Sequence, residues 1–145
     1  MTRVEAIGAT FATAAAVFFL AMLLVTPGLW LELRSLTIAD AKIGQPVRID
    51  YDRVFHRDFA GEWGVAIWTL DRGEWTAYCH ADGAWPYRAG KPGESRDLAW
   101  LVDGDARCSN LPVGTYQVEM TVTANPDTII SRSAVVMSNP FEVRP

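Results

Sequence analysis

From residue 115 to 124 the chain alternates without a slip. Tyr116, Val118, Met120, Val122 and Ala124 fall on one side, and Thr115, Gln117, Glu119, Thr121 and Thr123 on the other. Successive side chains of a strand point to opposite faces, so a period of two over ten residues specifies a half-buried strand. Shorter runs of the same kind precede it. Residues 36–41 form a candidate first strand, and in 47–52 Val47, Ile49 and Tyr51 alternate with charged residues. Residues 62–70 are apolar on both faces, with Trp63, Val65 and Ile67 one way and Ala66, Trp68 and Leu70 the other, which suits a central strand. Asp71, Arg72 and Gly73 make a turn, and 74–79 return as the second arm of a hairpin. Residues 81–97, rich in Gly and Pro and without a period, read as the longest loop. Leu98, Trp100 and Val102 alternate once more. Asn125, Pro126 and Asp127 signal a turn, and a last strand covers 131–143, interrupted at Pro140 because proline cannot donate to a ladder. About seven short strands separated by turn signals specify an all-β fold, an antiparallel sandwich of two sheets.

The chain ahead of these strands has a different character. No charged side chain occurs between Glu5 and Glu32. A bilayer core takes about 20 apolar residues in helical form, and a helix satisfies its own backbone. The sequence therefore predicts one N-terminal transmembrane helix within residues 1–33, followed by the sandwich at 34–145. Trp30 falls where an interfacial aromatic residue is expected. A cleaved signal peptide competes with this reading. The long apolar stretch, the single basic residue Arg3 offset by Glu5, and the lack of a small-x-small site argue for an uncleaved anchor. Gly8, Ala12 and Ala16 recur at fourfold spacing, a stripe that lets helices approach closely in lipid. Flanking charge gives Arg3 against Arg34 and decides no orientation. The cysteines favour a cytoplasmic N-terminus and an extracytoplasmic, periplasmic domain. Cys79 and Cys108 are an even pair in an exported domain, which points to one disulfide.

The segment Leu111, Pro112, Val113, Gly114, Thr115, Tyr116, Gln117, Val118 resembles the start of the penultimate strand in immunoglobulin-like and fibronectin III-like domains. The resemblance implies an Ig-like sandwich in which Tyr116 is the corner tyrosine that hydrogen-bonds to upstream backbone. It also implies that Trp68 or Trp63 is the core tryptophan of the third strand. The cysteines depart from the antibody pattern, since position 118 is Val and the second strand carries none. The resemblance concerns fold and is silent on function.

Charge and side-chain chemistry narrow the function classes. The net charge is −4, and the 11 arginines are interspersed with acids, so nucleic acid is a poor partner. His56, His80, Cys79, Met120 and Met137 are too scattered for a copper site, and a disulfide would remove the thiolate. Asp50, Asp52 and Asp58 read as solvated strand and turn residues, and Asp103 and Asp105 lack the spaced ligands of a calcium loop. No cofactor or metal is indicated. The serines sit in no nucleophile motif, and the glycines around Lys91 precede no helix, so the chain reads as a non-enzyme.

Six tryptophans are many for such a chain. Trp63, Trp68 and Trp100 are assigned to the core, which leaves Trp75, Trp85 and Tyr87 on or beside the long loop as candidate ligand- or partner-binding residues. Two functions follow. One is an accessory or structural subunit that docks on a larger membrane or envelope assembly through helix and sandwich. The other is a surface-displayed module that binds a glycan or a protein through its aromatic rim. A phage- or prophage-encoded envelope protein fits either.

Overall fold

The computed structural model describes residues 12–20, 31–90, 95–124 and 131–145. Residues 12–20 are helical (α1) and exposed along their length. The remaining elements are β1 (Leu31–Ile38), β2 (Ala41–Lys42), β3 (Arg48–Phe55), β4 (Phe59–Asp71), β5 (Glu74–Tyr87), β6 (Ser95–Asp97), α2 (Leu98–Leu101), α3 (Ala106–Ser109), β7 (Gly114–Ala124), β8 (Arg132–Met137) and β9 (Phe141–Arg144).

Two sheets pack face to face. The smaller has the order β1-β3-β6, and the larger β2-β9-β7-β4-β5 with β8 also paired to β7. This is an Ig-like β-sandwich. The alternation in β7 does what its spacing requires: Tyr116, Val118, Met120, Val122 and Ala124 are all buried between the sheets. Opposite them, Leu36, Ile38, Ile49, Tyr51 and Phe55 close the core from the smaller sheet. Each fully buried side chain of this size stabilises the fold by about 1.5–3 kcal/mol relative to exposure. Arg53 also points inward, with its guanidinium 4.7 Å from the Tyr51 ring centroid and 4.8 Å from that of Phe55.

The first strand crosses from one sheet to the other. After Ile38 the chain leaves β3 and lays β2 parallel to β9, Ala41 beside Val143. Asn139 fastens this crossing, because its side-chain amide accepts from the Ile38 N–H and donates to the Ile38 carbonyl, both at 2.9 Å. Asp40 adds a bond from the Glu142 N–H at 2.8 Å and an ion pair with Arg144. The predicted last strand is split at residues 138–140. Ser138 is buried there, and its hydroxyl accepts from the Val118 N–H at 2.9 Å. Interrupted in this way, β8 and β9 pair with different stretches of β7.

Several expectations are corrected. The first strand starts at Leu31, not 36, and Leu31 is a core residue. Residues 81–97 are not a loop throughout, since β5 runs on to Tyr87 opposite Phe59. Residues 98–102 are not a strand. Leu98, Leu101 and Val102 are buried at helical spacing, and Asp97 caps the turn by accepting from the Trp100 N–H at 2.8 Å. Trp100 therefore faces outward and stacks on Tyr51 with centroids 5.9 Å apart. Trp63 is partly buried and packs against the core as expected, whereas Trp68 stands on the outer side of β4.

The single-pass membrane localisation, and with it the periplasmic placement of the domain, is overturned. Among the described residues, no helix is long and apolar enough to cross a membrane. At the far end of the charge-free stretch, Leu31 already belongs to a sheet. Ala12 and Ala16 lie exposed on α1. Gly8 and Trp30, the other members of the packing stripe and interface, lie outside the described residues, as does the turn at Asn125.

Candidate functional site

The larger sheet has one face in the core and one face open. Strand register determines which side chains share the open face. From β5 through β4 and β7 to β8, one row reads His80, Ala66, Glu119, Met137, and the next reads Asp82, Gly64, Thr121, Val135. A third row on one side holds Ala84, Glu62, Thr123 and Ser133. On the other side, Ala77 and Trp68 precede Gln117, with Trp75 and Leu70 beyond them.

Small residues at the centre make this face concave. Gly64 and Ala66 form the floor of a groove of about 300 Å³, walled by His80 and Asp82 on β5 and by Glu119, Thr121 and Thr123 on β7, with Glu62 at one end. A Cβ added at Gly64 would meet only the His80 imidazole, at 3.8 Å. The depression therefore comes from an absent side chain and not from a backbone distortion.

Apolar side chains border the groove along β8, and more lie farther along the β4–β5 hairpin. Val135 is 58% and Met137 46% exposed on β8. Leu70 and Trp75 are exposed across the sheet, and the Trp68 indole N–H is covered and unpartnered. The groove itself is acidic. Glu62, Asp82 and Glu119 line it, and these rows contain no Lys or Arg among the described residues. His80 Nδ1 lies 3.5 Å from an Asp82 carboxylate oxygen, and both side chains are exposed.

The β4–β5 hairpin that carries half of this face is strongly specified. Arg72 and Gly73 both take positive φ, 51° and 88°, as a two-residue hairpin turn with matching twist requires. Between Ile67 and Trp68 the register slips by one, leaving Tyr78 as the extra residue. The slip lets Tyr78 turn to Tyr116, with ring centroids 5.7 Å apart. One residue further, Cys79 is disulfide-bonded to Cys108 of α3, with Cα atoms 5.7 Å apart. Tyr116 in turn donates its hydroxyl to the Pro112 carbonyl at 2.9 Å, the geometry of a tyrosine corner. Burial holds the Tyr116 phenol above its ordinary pKa, and neighbouring Tyr78 adds to the effect.

The three aromatics expected to form a binding rim are not brought together. Trp75 and Trp85 sit at opposite ends of β5, about 33 Å apart along a strand. Trp85 is 62% exposed, whereas Tyr87 is 5% exposed and belongs to the core. Its ring packs 4.9 Å from Phe55 and 5.0 Å from Phe59. Burial pushes the Tyr87 phenol up to about 12, against the opposing pull of Arg53. Gly61 makes this packing possible, because a Cβ there would lie 2.8 Å from the Tyr87 ring.

The groove residues escaped the sequence reading, because the polar side of β7 looks like any solvated face. The detectable signal was the pair of small residues, Gly64 and Ala66, in the middle of an otherwise bulky central strand. As for other chemistry, His56 pairs with Glu32 at 3.2 Å on the surface. No group of three or more His, Cys, Asp or Glu among the described residues could hold a metal ion.

No protein-family model matches the chain. No curated protein matches it either. Among solved structures it is similar to red sea bream transglutaminase (TM-score 0.47, 15% identity, 79% of this chain and 16% of that one). It is similar to the ASH/PapD-like domain 7 of human CEP192 (TM-score 0.48, 11% identity, 81% and 87%). A third likeness is to CsgH of R. palustris (TM-score 0.38, 13% identity, 74% and 88%). The chain thus spans less than a fifth of the transglutaminase. These likenesses carry no argument about this chain, and the Ig-like assignment stands on the strand pairing itself.

Proposed function

We propose that the chain is a non-catalytic interaction module, an accessory subunit that docks on a larger protein assembly through the open face of β5-β4-β7-β8. The observation that carries this reading is the exposure of Val135 and Met137 beside the groove. Two neighbouring apolar side chains on the open side of an edge strand gain nothing in an isolated domain, and they gain burial in a complex. The bridge between Cys79 and Cys108 and the long hairpin hold the face rigid, which limits the ordering cost of docking. A glycan platform is less well supported, since Trp85 stands exposed without Tyr87 beside it.

Native sizing of extracts from the host tests the proposal. The wild-type chain is expected in a discrete assembly well above 16.0 kDa. Val135→Asp/Met137→Asp is expected to leave that assembly while unfolding at the wild-type urea midpoint. A monomeric wild type, or a double variant that stays in the assembly, would overturn the reading.

A further inference from the structure

Taking the open face as a docking surface, we infer that its partner is a protein segment presenting an arginine between aliphatic side chains, the guanidinium entering the groove over Gly64. The inference rests on the interaction reading above and adds the chemistry of the occupant.

Charge decides the sign of that occupant. Glu62, Asp82 and Glu119 converge on one groove, and the only cation-capable side chain among the lining residues is His80. Neither Glu62 nor Glu119 makes an ion pair among the described residues. A second copy of this chain laid on the same face would oppose three carboxylates with three more, so self-association there is disfavoured. An acidic segment is excluded for the same reason. A cationic side chain gains Coulomb energy, and the gain grows as docking removes water from the groove.

Shape selects arginine. The groove of about 300 Å³ is larger than one methyl group or one ammonium, and its floor is two small residues. A guanidinium is planar, offers five N–H donors in a fixed fork, and carries an apolar stem that can lie over Gly64 and Ala66. The carboxylates on both walls match that fork. An aliphatic neighbour of the arginine would then meet Val135 and Met137, which stand beside the groove on β8. An anchor in a central groove surrounded by apolar contacts that exclude water is the usual arrangement of an interface hot spot.

The probe is the pentapeptide acetyl-Val-Thr-Arg-Thr-Val-amide, whose two valines share a face with the arginine when extended; it is titrated into the isotope-labelled chain while backbone amide shifts are followed. Saturable shifts are expected at Gly64, Ala66, Thr121 and Val135, and none on β1 or β3. Replacing the peptide's arginine by glutamine should weaken binding about tenfold or more, and replacing it by glutamate should abolish it. Raising the salt from about 0.05 M to about 0.5 M should also weaken it. Gly64→Val should abolish binding with the fold intact, because the new side chain has room above the sheet and valine favours strands. Glu62→Gln/Glu119→Gln should weaken binding as the glutamine peptide does. Equal affinity for the arginine and glutamine peptides, shifts spread over both sheets, binding that survives Gly64→Val, or no shift up to about 10 mM peptide would overturn the inference. Native sizing separates the two readings. If Glu62→Gln/Glu119→Gln keeps the assembly and Val135→Asp/Met137→Asp loses it, the face docks a partner but not through a cation.

Discussion

Reducing the bridge between Cys79 and Cys108 perturbs the fold without changing a residue. The bond closes a ring across a sequence separation of 29. On the chain-entropy relation, that closure removes about 12 cal/mol/K from the unfolded ensemble, or about 3.6 kcal/mol near room temperature. The native side adds little, since Cys108 is wholly buried and Cys79 nearly so. The two thiols would occupy the space that the bond leaves. Urea unfolding followed by tryptophan fluorescence reads the difference. With a slope of about 1.5 kcal/mol per molar, the reduced protein should unfold at a midpoint roughly 2 M lower. The comparison requires reduction in denaturant, refolding in reductant, and mass-spectrometric proof that both thiols are free. A midpoint shift below about 0.5 M would refute the reasoning. It would mean that the ring formed by 79–108 is already constrained in the unfolded chain, or that β5 and α3 do not rely on the bond to stay together.

Other perturbations have narrower readouts. Tyr116→Phe removes the hydroxyl bond to the Pro112 carbonyl and should cost about 1–2 kcal/mol by urea unfolding. Asn139→Ala removes both bonds to Ile38 and should cost about 1–3 kcal/mol, with faster amide exchange at Ile38. Tyr87→Ala should cost about 3–5 kcal/mol, whereas Trp85→Ala should stay within about 0.5 kcal/mol. Because the folded Tyr87 phenol is raised above its unfolded value, its contribution is intact below pH 10 and is lost as pH rises towards about 12; an ultraviolet titration should show this tyrosine ionising last, together with unfolding. Asp58 is held below the usual carboxylate range first by the Ala89 N–H and then by Arg88, so Arg88→Gln should raise its NMR titration midpoint only part of the way back.

Where the sequence succeeded and failed follows from periodicity. The strand at 115–124 was legible because ten alternating residues exclude a helix, and all five of its apolar residues are buried. Residues 98–102 were misread because so short a run fits both periods. Leu98, Trp100 and Val102 alternate, but Leu98, Leu101 and Val102 also sit at the spacing of one helical face, and the N-cap at Asp97 favours the helix. Gly83 and Pro86 made the second half of β5 look like a loop. Gly83 is instead where the Trp63 ring lies, 2.8 Å from a would-be Cβ, and Pro86 is near the end of an edge strand that needs no donor there. The proposed docking face was invisible for another reason. It is assembled by register across four strands, and no single strand contains more than one column of it.

Helix α3 links the disulfide to its capping residue, and that link can be separated into parts. Asp105 accepts from the Cys108 N–H at 2.8 Å, so the same turn holds the cap and the bridging cysteine. Removing an N-cap costs about 1 kcal/mol when the helix has no alternative to being folded. With the bridge closed, Cys108 is tied to β5 and a four-residue helix cannot fray away from the sandwich, so Asp105→Ala should show that full cost. In the reduced protein α3 can open locally. The cost of losing the cap is then bounded by the free energy of that opening, and should fall to about half or less. Urea unfolding of wild type and Asp105→Ala, each oxidised and reduced, completes the cycle. Equal cap costs in both redox states would show that packing alone holds α3, and that the bridge acts only on the unfolded chain.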